Sequence, residues 1–392
     1  MSNHYVVLSR KYRPKNLNDL IGQEVMAQFI RTCLDENKVP HAFLFHGIRG
    51  VGKTTTARIL ARCLSCTGTG DDSSIHRSSP CGICRSCLAI DRDSHMDVME
   101  FDAASRTGVD DVREIIESTQ YAPALGKFKI FIIDEVHMLS KSAFNSLLKT
   151  LEEPPLHVKF IFATTELNKV PETVLSRCMT FQLNPIPTVK LAGYILNIAN
   201  KEGFVIEEEA ADIVATESGG SVRDALSILD QIMMLSYRDK NITSDTVIKV
   251  IGRARRCDIE EILELILASK TSEAVQLAER VIVNGCAPFA LYGGLQSALY
   301  RRITERVKKK DGKLSTLLYL WQIFLKQTEN MKSAEHPEHV LIAAIIILAY
   351  TASFPNIESM MIKNTQANQN KSDSLIQKIL TKFPGSDVTE VE

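Results

Sequence analysis

Residues 41–54, HAFLFHGIRGVGKT, place an apolar strand pattern directly before a glycine loop that runs into a helix. No other feature of the chain constrains its fold as tightly. Gly47-Ile-Arg-Gly-Val-Gly-Lys-Thr54 matches the spacing G-x-x-x-x-G-K-[ST]. Gly47, Gly50 and Gly52 let the loop curl until backbone N–H groups converge on phosphate oxygens. In such a loop Lys53 reaches the β- and γ-phosphates, the Thr54 hydroxyl suits Mg²⁺, and Thr55 carries the chain into the helix. The helix TTTARILARCL then directs the positive end of its dipole at the phosphates. ATP with Mg²⁺ is the expected ligand.

Four further apolar runs follow, DVMEFDA (97–103), KIFIIDE (129–135), VKFIFATT (158–165) and MTFQL (179–183), with helical patterns between them. Strand–helix alternation of this kind predicts an α/β fold, a parallel sheet with helices on both faces. The nearly continuous apolar character of the runs predicts strands covered on both sides. NPIP at 184–187 breaks the pattern. We therefore expect a nucleotide-binding domain over 1–183 with an insertion at 66–87, then short helices over 184–250 jointed at SGGS (218–221) and NITSD (241–245). A wholly helical domain over 251–360 follows, with IEEILELILA (259–268) as its clearest amphipathic stretch. The polar tail 361–392 reads as disordered. The run VLIAAIIILAY (340–350) falls short of the ~20 residues a bilayer needs and reads as a buried helix.

Basic and acidic residues balance at 46 against 47, so no global field attracts nucleic acid and any such contact must be local. The N-terminus MSNHYVVLSRKYRPKNL lacks an apolar secretory core, which points to the cytoplasm. There, nine cysteines are better read for metal spacing than for disulfides. Cys66 precedes Cys81-Gly-Ile-Cys84-Arg-Ser-Cys87, and two C-x-x-C steps bring thiolates within reach of one ion. Four thiolates close the site, which favours structural zinc over an iron–sulfur cluster. Cys63, one helical turn earlier, and His76 are the alternative ligands.

KIFIIDEVHML sets Asp134 and Glu135 at the carboxyl end of a strand, where open α/β sheets bind ligands. Asp134 suits support of the magnesium, and Glu135 suits orienting an attacking water. Thr165, at the end of the next strand, suits the γ-phosphate or that water. Two arginines complete the set. Arg223, in SGGSVRDAL, suits stabilising γ-phosphate charge in cis if the helical region folds back over the nucleotide. Arg177, in ETVLSRCMTFQL, lies by strand order on the far side of the sheet from the glycine loop, and so would reach a phosphate only on a neighbouring subunit.

The set RKYRPKNLNDLIGQ, HAFLFHGIRGVGKTTTARILA, the four cysteines, FDAASRTGVDDVREI, IFIIDEVHMLSKSAFNSLLKTLEEPP, TTELNKVPETVLSRC and GGSVRDAL resembles the gamma/tau subunit family of bacterial DNA polymerase III, the ATPase of the sliding-clamp loader and a member of the AAA+ class. The likeness covers about residues 1–250 and continues more weakly to about 360. It implies an AAA+ fold followed by a helical lid and an all-α collar that holds a five-subunit ring with delta- and delta-prime-type partners. It implies that Arg177 acts in trans and that Arg223 senses nucleotide from the lid. Tyr12, Arg13, Pro14, Ile21 and Gly22 would line the adenine pocket. ATP would open the clamp, and primed DNA would trigger hydrolysis. Arg106, Thr107 and Lys141 are candidates for DNA contact, and the basic run from Arg301 to Lys310 reads as a solvated face. The polymerase activity belongs to the complex, since no polymerase site is legible in this chain. Long family members carry further regions, so the chain resembles the short, loader-only form. The alternative is an AAA+ DNA motor of the branch-migration helicase type, which needs neither the cysteines nor the SRC segment.

Overall fold

The computed structural model describes residues 5–68, 78–309 and 314–353. The chain divides into two compact units, Met1–Val250 and Ile251–Glu392. His76 and the tail 361–392 lie outside the described residues, as do parts of the cysteine insertion and of the basic run.

The first unit opens with α1 (Leu8–Lys11), α2 (Glu24–Asp35), β1 (Ala42–His46), α3 (Lys53–Ser65) and α4 (Arg85–Asp91). It continues with β2 (Val98–Asp102), α5 (Val109–Thr119), β3 (Lys129–Asp134), α6 (Lys141–Glu152), β4 (Val158–Thr164), α7 (Glu172–Leu175) and β5 (Met179–Gln182). The five strands form one parallel sheet in the order β2-β3-β4-β1-β5.

Period-two alternation divides the aromatic residues of the central strands between two faces. Phe131, Phe160 and Phe162 stack on one side, with centroids 5.5 and 5.8 Å apart, against Val112 and Ile115 of α5 and Phe144 and Leu147 of α6. Phe43 and Phe45 stack on the other side with Phe181, which meets Phe29 of α2 at 5.2 Å. Only β1, β3 and β4 are buried on both faces. The outer strands β2 and β5 are half exposed, contrary to the expectation of cover on both sides, because each has a neighbour along one edge only. In α6 the apolar spacing is helical, with Ala143, Phe144, Leu147 and Leu151 all buried. Its start is fixed by the Ser140 hydroxyl, which accepts the Ala143 N–H at 3.2 Å.

After Pro185 and Pro187 come α8 (Thr188–Lys201), β6 (Val205–Ile206), α9 (Glu208–Glu217), α10 (Val222–Leu235), β7 (Asn241–Ile242) and α11 (Ser244–Ile251). The two-residue strands β6 and β7 pair in parallel and have no counterpart in the sequence reading. The amino-terminal segment straps this helical lid. The Tyr5 hydroxyl donates to Asp230 at 2.5 Å, the Tyr12 hydroxyl to Glu202 at 2.5 Å, and Lys11 pairs with Glu202 at 2.6 Å.

The second unit comprises α12 (Arg256–Leu267), α13 (Thr271–Val283), α14 (Pro288–Lys309), α15 (Leu314–Ser333) and α16 (Pro337–Ala352). Its core includes Ile262, Ile266, Leu291, Leu295, Phe324 and Leu341, with Tyr292 hydrogen-bonded to the Phe324 carbonyl. The run 340–350 falls in α16 and is only half buried. Leu341, Ala344, Ile345 and Leu348 face the core, while Ile346, Ile347 and Tyr350 are exposed. Both faces of this helix are apolar, so no periodicity marks which one is covered. Among the described residues no helix is long and apolar enough to cross a membrane. Arg301 and Arg302 are not freely solvated, for they pair with Glu260 and Glu264 of α12.

Candidate nucleotide site and cysteine cluster

The carboxyl ends of β1, β3 and β4 lie side by side, and the loops that leave them wall a cleft of about 1520 Å³ in the first unit. The glycine loop follows β1. A Cβ on Gly47 would lie 2.3 Å from the Leu183 carbonyl oxygen, so the exit of β5 tolerates no side chain there. Gly50 has a left-handed φ of 76°, and a Cβ on it would lie 2.1 Å from the Ser221 hydroxyl of the lid. The start of α10 therefore rests on the loop itself, with the Arg223 N–H donating to the Gly50 carbonyl at 3.3 Å.

Lys53 is buried at the first position of α3, where its ammonium donates to the carbonyls of Gly47 (3.0 Å) and Ile48 (3.1 Å). Burial draws it below the ordinary lysine range, against the opposing pull of Glu135 and Asp134. Beside it the Thr54 hydroxyl donates to Asp134 at 2.5 Å. These two hard oxygens, converging at the phosphate loop, fit a magnesium ion held with a nucleotide.

Glu135 follows at φ 48°, a left-handed conformation that non-glycine residues adopt at a cost of about 1–3 kcal/mol. Its Oε2 accepts both the Thr165 N–H (3.0 Å) and the Thr165 hydroxyl (2.9 Å). Thr165 thus meets the carboxylate directly. Tyr12, Arg13, Pro14, Ile21, Gly50, Gly52, Thr55, Thr165 and Arg223 all line the cleft, whereas Gly22 and Gly47 are not among the residues that line it. Lining residues outside the sequence reading include Arg58, Tyr194, Val222, Leu226 and His137. The apolar residues of this group carried no signal that set them apart from core positions.

Arg177 is absent from this cleft, but not for the expected reason. Its strand, β5, is the immediate neighbour of β1, and Phe43 is in register with Met179. What separates Arg177 from the glycine loop is strand length. It precedes β5 at the amino end of the sheet, while the loop leaves the carboxyl end, about 20 Å away along the strand. There it pairs with Glu152 at 2.5 Å and donates to the Thr173 carbonyl at 2.6 Å, both on the exposed surface.

Arg106, Thr107 and Lys141 come together on another surface. All three are exposed at the starts of α5 and α6, and the Ser140 N–H donates to the Thr107 carbonyl at 3.4 Å. The Arg106 guanidinium also lies over the Phe101 ring, 5.5 Å from its centroid.

Cys66 caps the far end of α3, and the sulfurs of Cys66, Cys81, Cys84 and Cys87 lie within 4.8 Å of one another. A tetrahedral ion with bonds of ~2.3 Å needs sulfur–sulfur edges of about 3.8 Å, and Cys66 and Cys84 are 4.0 Å apart. Backbone N–H groups of Cys81, Cys84 and Cys87 point at the sulfurs of Cys66, Cys81 and Cys84 at 3.3–3.4 Å, as thiolate ligands require. Burial raises the Cys84 thiol, but the Cys87 N–H and the Thr67 hydroxyl and N–H outweigh it and hold it at about 6. Burial pushes Cys66 and Cys87 upward. The donor set fits a single thiophilic metal ion. Cys63 stands outside it, buried, with its thiol toward the Ser78 carbonyl and raised to about 12 by burial.

Two family models match the chain, "DNA polymerase III, delta subunit" over residues 22–187 and "DNA polymerase III clamp loader subunit, ATPase lid domain" over 190–237. DNA polymerase III subunit gamma of Buchnera aphidicola subsp. Baizongia pistaciae is 44% identical over 67% of this chain and 69% of its own length. Subunit tau of Bacillus subtilis is 32% identical over 93% of this chain and 68% of its own length. Subunit tau of Escherichia coli is 39% identical over 76% of this chain, but only 45% of that longer protein is spanned. The phosphate loop, the paired carboxylates, the lid seated on the loop and these relatives lead to one conclusion: the chain belongs to the gamma/tau family of DNA polymerase III subunits and is an ATPase subunit of the clamp loader.

Proposed function

We propose that the chain binds and hydrolyses ATP in the cleft to open a ring-shaped sliding clamp and load it on primed DNA, in the cytoplasm, within a five-subunit ring that includes delta- and delta-prime-type partners. One observation carries this reading. Lys53, Thr54, Asp134, Glu135, Thr165 and Arg223 converge on one cleft, while Arg177 stands about 20 Å away at the other end of the sheet.

Tyr12, Arg13, Pro14, Ile21 and Gly22 bound the adenine end, and the backbone of Gly47, Gly50 and Gly52 wraps the phosphates. Lys53 exchanges the two loop carbonyls it now holds for phosphate oxygens. Thr54 would hold a magnesium ion bound with the nucleotide, with Asp134 supporting it through the Thr54 hydroxyl, and the ion would neutralise charge on the phosphates. Thr165 fixes one oxygen of Glu135, which leaves the other to orient the attacking water. Arg223, carried on the lid helix, registers the γ-phosphate, and Arg177 supplies charge to the site of the next subunit. Zinc at Cys66, Cys81, Cys84 and Cys87 staples the insertion, and Arg106, Thr107 and Lys141 meet DNA phosphates.

The test is ATPase activity of the chain alone, then with partner subunits, clamp and primed template added in turn. A stepwise rise that peaks with clamp and primed template supports the loader. Full-rate hydrolysis by the chain alone, indifferent to all additions, overturns it, and stimulation by duplex alone favours the branch-migration motor. A chelator should release about one zinc per chain, and metal analysis finding iron would remove that assignment.

A further inference from the structure

The cleft holds a buried side chain that the mechanism above does not use. His137 occupies a single 3₁₀ turn, Val136–Met138, two residues beyond Glu135, and its side chain is only 6% exposed. Its Nδ1 lies 2.9 Å from the Thr164 hydroxyl and 3.4 Å from Glu135 Oε2, while Nε2 lies 3.5 Å from Glu166 Oε1. Thr164 is fully buried at the end of β4, and its hydroxyl also accepts the Glu166 N–H at 3.1 Å.

The contacts to Glu135 all fall on one oxygen. Oε2 receives Thr165 twice and faces His137 Nδ1, whereas Oε1 has no hydrogen-bond partner among the described residues. A proton on Nδ1 is directed to the Thr164 hydroxyl oxygen and stands beside Oε2, where a lone pair would oppose the carboxylate. The contacts that aim the Glu135 carboxylate come from Thr165, just after β4, and from His137 in the turn that follows β3.

We propose that His137 is a positioning residue for hydrolysis. Through Nδ1 it ties the end of β4 to Glu135 Oε2, so that Oε1 is held toward the cleft where the attacking water must stand. This rests on the reading of Glu135 as the carboxylate that orients that water. Misplacing such a group by about 1 Å costs on the order of 100-fold in rate while leaving binding alone.

The test compares His137→Ala, His137→Asn and His137→Gln in the fully assembled loader with clamp and primed DNA, with Glu135→Gln as reference. Asn places a nitrogen donor near the position of Nδ1, and Gln places one near Nε2. Ala and Gln should lower kcat about 10- to 100-fold with the Kd for ATP within about twofold, and Asn should recover most of the rate. Wild-type kcat in His137→Ala, equal losses in Asn and Gln, or a fall in ATP affinity that parallels kcat each overturns the proposal. If the alanine variant fails to assemble, the Asn–Gln pair decides alone. Normal hydrolysis by Glu135→Gln would strike down the role of Glu135 itself, an outcome separate from any result with His137.

Discussion

The two ends of the central sheet treat charge in opposite ways. At the amino end, buried charges are satisfied by the fold. Asp97, 2% exposed, accepts the N–H groups of Ala124 (2.6 Å), Leu125 (2.7 Å) and Gly126 (3.1 Å). The Lys129 ammonium donates to the Ser118 carbonyl at 2.8 Å, and that of Lys159 to the Val39 carbonyl at 3.0 Å. At the carboxyl end the charges line the cleft. Lys53 borders it while bonded to two carbonyls of its own loop, and one oxygen of Glu135 has no hydrogen-bond partner among the described residues. Groups that complete their bonds internally hold structure together, whereas groups aimed into a cleft await a ligand. Arg177 crosses this division, because it lies at the amino end yet its pair with Glu152 is open to solvent.

The sharpest way to break the contrast is therefore Arg177→Ala. In the assembled ring, hydrolysis at the neighbouring site should fall about 1,000-fold or more, with ATP binding nearly intact. Unchanged turnover would make Arg177 one more structural charge. Next comes Lys53→Ala, which should cost about 100- to 1,000-fold in hydrolysis and, since its present bonds are only to carbonyls of its own loop, little in melting temperature. A large loss of stability would erase the distinction between the ends. Asp97→Ala should do the reverse, lowering unfolding free energy in urea by about 3 kcal/mol with kcat per folded molecule unchanged. The smallest effect belongs to Glu152→Gln, below about 1 kcal/mol in stability because the pair is exposed and screened. Its measurable consequence would be a weaker dependence of ring ATPase on salt.

Much of this was legible in advance. The five strands begin and end within about a residue of the apolar runs, and the central three are continuous apolar stretches because both of their faces are buried. The phosphate loop and the cysteine cluster were legible because each depends on local spacing. Spatial order was not. That β5 lies against β1 is a property of strand pairing across the chain, and it replaces the reason first given for Arg177 standing apart. The strands β6 and β7, two residues each, are too short for any alternation to show. His137 escaped notice because a histidine after Asp-Glu reads as loop, and its partners Thr164 and Glu166 arrive from the next strand.

One feature of β5 reaches further than its four residues. Arg177 stands just before it, and just after it Leu183 bonds to His46 at 2.7 Å and Ile186 to Gly220 of the lid at 3.1 Å. A pushrod of this length, laced to β1 along its side, has almost no slack. On the trans reading of Arg177 proposed above, a lid that tilts over its own nucleotide cannot leave that guanidinium undisturbed without tearing ladder bonds between β5 and β1.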